Sequence, residues 1–339
     1  MRETPQIGKN YSSISLNNRK KSAVKMFLTR GQFAWDNYKY STLSHQRLNV
    51  MQANDEWFLQ WLVGFSDGDG SFSILRQGDK WNLTFKISQN TYNLRVLYYI
   101  KKQLGAGTVT IEPKTSMASF RIRDRKTLGT IIIPIFEKYP LLTTKYFNYA
   151  NFQEAYYILE NPVYTKLERN RLLEDIRSSR PAESYLSPAW NKVTLPLADA
   201  NEAQKVMSKS WLIGFVEAEG SFYLVSKEGN RIAHGFGLTQ KLDRVVLEAI
   251  KIILHISTKV TYKIKYNHYI LDTTNSRSIL NVSNYFLNTM KGMKSVEYRI
   301  WSRSFNNHKG DFEKLYKVKE IIQRLRTKRP DKLLWVNKS

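Results

Sequence analysis

The feature that most restricts how this 339-residue chain can fold is an internal repeat. Trp61-Leu-Val-Gly-Phe-Ser-Asp-Gly-Asp-Gly-Ser-Phe72 returns as Trp211-Leu-Ile-Gly-Phe-Val-Glu-Ala-Glu-Gly-Ser-Phe222. Phe85-Lys-Ile-Ser-Gln89 returns as Phe236-Gly-Leu-Thr-Gln240, and Lys145, Tyr149 and Phe152 return as Lys294, Tyr298 and Trp301. Three landmarks in one order at a nearly constant offset imply a tandem duplication. The expected organisation is a basic N-terminal extension over 1–54, a first half over 55–160, a connector over 161–207, a second half over 208–326 and a basic tail over 327–339. The connector holds Pro162, Pro181, Pro188 and Pro196 and a short charged helical stretch over 166–177.

Turn residues and alternation predict the same elements in each half. A helix ends in the acidic motif. Strands follow over 71–76 and 81–88 around a Gln77-Gly-Asp-Lys80 turn, then a helix over about 93–103 that stops near Gly105. Two more strands, 108–112 and 119–123, precede a helical region. In the second half the strands fall over 221–226, 231–239, 259–265 and 269–273, with the first turn at Lys227-Glu-Gly-Asn230. The fold class is therefore α+β: a pseudo-twofold tandem repeat of αββαββα, with two four-stranded antiparallel sheets covered by helices on one face.

The chain carries 53 Lys and Arg against 29 Asp and Glu, a formal charge of +24. Such an excess points to a polyanionic partner, most simply nucleic acid. The absence of cysteine excludes disulfides, thiol catalysis, zinc ribbons and iron–sulfur clusters. The five histidines are scattered without metal-ligand spacing. No run of 18 uncharged apolar residues suited to a membrane span occurs. Residues 1–30 carry seven basic side chains against Glu3. They read as a solvated basic tail, a segment joined to the downstream reading frame, or a mitochondrial transit peptide with a poor apolar face.

The acidic motifs carry the chemistry. Phe58, Trp61, Leu62 and Phe65 mark an apolar stripe at helical spacing. Gly64 lies inside that helix, where glycine costs about 1 kcal/mol relative to alanine, and Gly214 holds the equivalent place. Small residues there would let the two motif helices meet backbone to backbone. That packing would gather Asp69 and Glu219 at the negative ends of two helix dipoles, where a carboxylate is disfavoured by about 0.3–1 kcal/mol. A hard divalent cation reverses this, with the carbonyls of Gly68 and Ala218 as further ligands. For a single copy, an acidic helix end leading into a glycine turn explains the residues equally well; two matched copies favour a metal site.

Leu62–Gly70 and Leu212–Gly220 resemble the two signatures of the LAGLIDADG homing endonucleases in their single-chain, two-motif form, and the likeness spans about residues 55–326. The resemblance implies that the acid before the final glycine, Asp69 and Glu219, is catalytic and binds Mg²⁺ or Mn²⁺. The earlier acids, Asp67 and Glu217, match as supports of the helix. Glu-Ala-Glu stands in the second motif where the family pattern has Asp-Ala-Asp, which keeps the charge. The family's strand-end polar residue maps onto Gln89 and Gln240, and its lysine beside the reacting water onto Lys145 and Lys294. Implied with these are a double-strand cut with short 3′ overhangs in a long DNA site, a DNA-binding saddle formed by the two sheets, a monomeric chain, and an origin in organellar introns. The alternative is a maturase that binds group I intron RNA, or a DNA-binding regulator on the same scaffold; neither needs the acids that are present.

Strand phase assigns a polar, basic sheet face. In the first half it holds Ser73, Leu75, Asn82, Thr84, Lys86, Arg121 and Arg123, and in the second Tyr223, Lys227, Lys263 and Lys265. The inward set includes Phe72, Phe85, Phe120, Phe222, Val260, Tyr262 and Ile264. An exposed twisted sheet can lie in the major groove, where such side chains read base edges. The remaining charge would contact phosphates and make affinity steeply salt-dependent.

Overall fold

The computed structural model describes residues 53–327 apart from Pro113. The expected extension over 1–54 and tail over 327–339 lie outside the described residues, but for the helical residues 53, 54 and 327. The first half runs α1 (Ala53–Asp69), β1 (Gly70–Gln77), β2 (Lys80–Asn90), α2 (Leu94–Leu104), β3 (Thr108–Glu112), β4 (Met117–Ile122), α3 (Ile133–Lys138) and α4 (Lys145–Glu160). Next come α5 (Lys166–Ser178) and α6 (Ala200–Val206). The second half runs α7 (Lys209–Glu219), β5 (Ser221–Lys227), β6 (Arg231–Gln240), α8 (Arg244–Ile253), β7 (Thr261–Lys263), β8 (His268–Thr273), α9 (Ser276–Tyr285), α10 (Lys294–His308) and α11 (Phe312–Thr327). The sheets are ordered β1-β2-β4-β3 and β5-β6-β8-β7, antiparallel throughout. The α+β repeat is thus the one expected.

Both motif helices are buried around most of their circumference, which requires neighbours on every side. In α1, Phe58, Leu59, Trp61, Leu62, Val63 and Phe65 are buried; in α7, Trp211, Leu212, Ile213, Phe215 and Val216. The face between the helices is glycine. A Cβ on Gly64 would lie 2.0 Å from the Trp211 carbonyl oxygen, and one on Gly214 equally close to that of Trp61. No side chain larger than hydrogen fits at either position.

Each sheet covers an aromatic core against its helices. Phe72 pairs in register with Phe85, and its ring meets Phe136 edge-on at 5.0 Å and Phe152 at 5.5 Å. Phe222 pairs with Phe236 and meets Tyr298 at 5.2 Å and Trp301 at 5.1 Å. The repeat therefore holds at the level of packing, with Trp301 filling the place of Phe152. The first helix of the expected connector also joins this scheme. α5 starts at a Thr165–Glu168 capping box and lies against the β1–β2 hairpin. Trp81 Nε1 donates to Asn170 at 2.8 Å, and Arg76 pairs with Glu174 at 3.1 Å. α11 does the same for the second hairpin, where Lys319 Nζ donates to Ser226 Oγ at 2.9 Å.

Two expectations about strands are corrected. The strand expected over 259–265 is reduced to Thr261–Lys263, and Ile264–Tyr266 turn as a 3₁₀ helix closed by Asn267 in the left-handed region. Alternation fails with it. Lys265 sits on the turn instead of on the sheet, and Ile264, assigned to the core, is 85 % exposed. As an edge strand with one neighbour, β7 has no second row of pairing to extend it. Thr84, assigned to the open face, is 6 % exposed: its short side chain lies on a central strand between the longer same-face side chains of Asn82 and Lys86. Among the described residues no helix is long and apolar enough to cross a membrane.

Two consequences can be measured. Gly64→Ala or Gly214→Ala should cost about 3 kcal/mol of stability, since backbone and not a flexible side chain must yield; urea unfolding reads this. His234, on the inward face of β6, lies 2.8 Å from Ser304 Oγ between the rings of Trp301 and Phe305. Burial lowers its pKa from 6.5 to about 4. A depressed pKa contributes stability that is present above 6.5 and lost as the pH falls through about 4. His234→Gln should therefore lose less stability than the native chain over that window, in melts followed by circular dichroism.

Candidate active site

α1 ends at Asp69 and α7 at Glu219, so the glycine contact delivers the two acids together. Gly68 packs onto the other motif: a Cβ there would lie 2.4 Å from Ala218 Cβ and 3.4 Å from Glu219 Oε1. Burial raises the pKa of Asp69, and that of Glu219 is raised by burial and then by the charge of Asp69. Among the described residues no donor hydrogen-bonds the Glu219 carboxylate, and no third Asp, Glu or His side chain joins the pair.

Two lysines close the site from the starts of α4 and α10. Lys145 Nζ donates to the carbonyls of Ser66 at 3.0 Å and Gly68 at 2.6 Å. Lys294 Nζ donates to those of Val216, Ala218 and Gly220 at 3.2, 3.3 and 2.5 Å. Each amine therefore sits on the last turn of its own motif helix, where a cation complements the dipole. Burial lowers both lysine pKa values against the pull of the acids: Asp69 and Glu219 act on both amines, Asp67 on Lys145 and Glu217 on Lys294. The Gly68 and Ala218 carbonyls, expected as metal ligands, thus already accept from the lysines; each oxygen retains a second lone pair.

The earlier acids do more than support their helices. Asp67 is buried and accepts from Leu142 N at 2.7 Å, Thr143 N at 3.1 Å and Trp211 Nε1 of the other motif at 2.9 Å. Glu217 is buried and accepts from Lys291 N at 2.8 Å and from Gly292 N. Each acid anchors the loop that leads into its own lysine. Desolvation raises both pKa values, against the backbone donors.

The same loops are gripped from the opposite half. Thr144 N donates to Asp243 Oδ1 at 2.7 Å, and Met293 N to Asn93 Oδ1 at 2.8 Å. Asn93 and Asp243 precede α2 and α8, yet neither side chain caps its own helix. On one side the chain of bonds continues: Asn93 Nδ2 donates to Gln89 Oε1 at 2.9 Å, and Gln89 Nε2 to Asp69 Oδ2. Gln240 instead lines a cavity of about 200 Å³ with Gly68, Lys145, Glu219 and Asp243. Sequence reasoning missed Asn93 and Asp243. Their signal was a polar residue four places after Gln89 and three after Gln240, which looks like an ordinary helix cap.

Most residues expected on the open sheet face are at least partly accessible. Leu75, Asn82, Arg123, Lys227 and Lys263 are exposed, and Ser73, Lys86, Arg121 and Tyr223 half-buried. Arg121 pairs with Glu112 at 2.9 Å, and Tyr223 Oη donates to Asp272.

The family model described as LAGLIDADG endonuclease matches residues 62–156 and 212–305, one match for each half. The chain belongs to the LAGLIDADG endonuclease family. It is 42 % identical over 282 residues to a "Probable intron-encoded endonuclease Cox1-I1b" of Schizosaccharomyces pombe, covering 80 % of this chain and 70 % of that protein. It is 31 % identical over 197 residues to an "Uncharacterized mitochondrial protein RF1" of Saccharomyces cerevisiae, covering 57 % and 38 %. Among solved structures the fold is similar to the I-LtrWI LAGLIDADG homing endonuclease bound to target DNA, with a TM-score of 0.66, 21 % identity and coverage of 80 % and 98 %. I-SmaMI bound to uncleaved DNA in the presence of calcium ions gives 0.63, 21 %, 79 % and 98 %. Each matched stretch of this LAGLIDADG chain contains one acidic motif and one of the two lysines.

Asp243 allows a direct test of the cross-half grip. Asp243→Ala leaves the Thr144 N–H without its partner, a loss of about 1–3 kcal/mol, whereas Asp243→Asn keeps the acceptor. Burial raises the Asp243 pKa from 3.8 to about 6. Its stabilising contribution is thus present below 3.8 and lost as the pH rises through about 6. In urea unfolding, Asp243→Asn should gain on the native chain across that rise.

Proposed function

We propose that this chain is a site-specific endonuclease that hydrolyses both strands of a long double-stranded DNA site, leaves short 3′ overhangs, and starts the transfer of the intron that encodes it. The observation that carries the reading is the meeting of Asp69 and Glu219 at the ends of two glycine-packed helices, each beside a half-buried lysine. Family membership and relatives named as intron-encoded endonucleases support it.

The donor set suits a hard cation: two desolvated carboxylates, one with no hydrogen-bond donor among the described residues, beside backbone carbonyls at helix ends. Mg²⁺ or Mn²⁺ would be held by Asp69 and Glu219, and the solved relative with calcium ions is consistent with an ion of that type. When bound, the cation supplies Lewis-acid charge to the scissile phosphate and its leaving 3′ oxygen. The chain's own residues do the rest. Lys145 and Lys294, held on the last turns of the two motif helices, place positive charge beside the acids and would stabilise the charge that develops on the phosphate oxygens. Gln89 orients Asp69 through its amide, and Gln240 lines the cavity beside Glu219. The pseudo-twofold repeat gives each strand one acid, one glutamine and one lysine. The open sheet faces hold the duplex, and the +24 charge supplies the phosphate attraction. The chain acts as a monomer, because the duplication already provides both halves. The S. cerevisiae relative named as a mitochondrial protein supports a mitochondrial setting.

Asp69→Asn or Glu219→Gln should abolish cutting of a supercoiled plasmid that carries the site while the duplex is still bound in gel shifts. Full cutting by either variant overturns the reading. Lys145→Met or Lys294→Met should slow cutting by roughly 100-fold or more.

A further inference from the structure

The two sheet faces carry opposite chemistry at one pair of equivalent positions. The register fixes the equivalence. Phe72, Phe85 and Ile122 lie across the first sheet as Phe222, Phe236 and Thr273 lie across the second. On the open face beside them, the first half places Lys86 opposite Arg121, and the second places Gly237 opposite Asp272. Ser73 and Thr84 likewise correspond to Tyr223 and Gly235. A site of donors in one half is thus a site with an acceptor in the other.

The second site is built, not merely acidic. The Tyr223 ring lies over the central strand: a Cβ on Gly235 would fall 2.3 Å from it, and one on Gly237 would fall 2.8 Å from Asp272 Oδ1. Two glycines therefore make a floor on which both side chains rest. Tyr223 Oη donates to Asp272, and burial with that bond pushes the phenol pKa up, so it stays a donor. The hydroxyl holds the exposed carboxylate in one orientation and uses one of its roughly four acceptor sites. An anion on a surface that meets phosphates is repelled by them unless it faces base-edge donors. In the major groove the matching partner of a carboxylate is the exocyclic N4 amine of cytosine, and that of arginine is guanine O6 and N7.

We propose that Asp272, oriented by Tyr223, is a specificity-determining residue that accepts from a cytosine amine in one half-site, while Arg121 at the pseudo-equivalent place selects guanine in the other. This rests on the reading of the chain as a site-specific DNA-binding nuclease. A palindrome would present the same base pair to both positions, whereas a guanidinium and a carboxylate at equivalent places favour opposite orientations of that pair, guanine toward one half and cytosine toward the other.

The experiment is binding selection by the full-length chain from a randomised duplex library, followed by sequencing. The native chain should enrich cytosine at one column. Asp272→Asn should move that column to adenine and Asp272→Arg to guanine, each by roughly tenfold or more, with the other half-site unchanged. Arg121→Asp should install a cytosine preference at the mirror column, a readout that does not depend on the Asp272 variants folding. Tyr223→Phe, which keeps the ring and frees the carboxylate, should broaden the cytosine column. Identical columns for the native chain and the Asp272 and Arg121 variants overturn the inference while leaving the nuclease reading intact. Failure of the native chain to enrich any sequence overturns that reading and this inference with it.

Discussion

The contact of two helix backbones at Gly64 and Gly214 governs the rest of the molecule. It is one of the few ways to bring two helix C-termini within a few ångströms, and it puts charge where apolar packing alone would forbid it. Everything in the site follows from that approach. Asp69 and Glu219 are neighbours because the helices have no side chains between them. The lysines can bridge to the last carbonyls because those carbonyls turn outward at the same end.

The electrostatics of the site are more balanced than two acids at dipole ends would suggest. Each helix end already holds an ammonium group, so the carboxylates and amines together are close to neutral. Burial works against all four charges, raising the acids and lowering the lysines. Such a group is poised: a cation and a polyanion arriving together add charges of both signs and restore hydration-like partners to each. The buried acids Asp67 and Glu217 keep this arrangement rigid by holding backbone N–H groups of the lysine loops.

Much of this was legible in the sequence, because a duplication prints every constraint twice. The glycines, the acid pairs, the strand-end glutamines and the lysines recur at matched positions, and Phe72, Phe85 and Phe120 with their counterparts set the strand phase. Three things were not legible. The edge strand β7 ends at Lys263, short of where alternation would carry it, since the pattern of Val260, Tyr262 and Ile264 carries no information about whether a helix lies beneath them. The carbonyl partners of Lys145 and Lys294 are backbone atoms, which no residue pattern reports. Asn93 and Asp243 act across the pseudo-twofold axis, so their partners lie 200 and 99 residues away and share no local signal.

Those two residues also bear on how such a chain can diverge. Each half contributes a side chain that seats the lysine loop of the other, but one seat holds an amide and the other a carboxylate. After the copies separated, either seat could change only in step with the loop it faces. Recombining halves from different relatives to make a nuclease with a new target would therefore break a bond on each side of the axis, unless the loop and its distant partner were exchanged as a set.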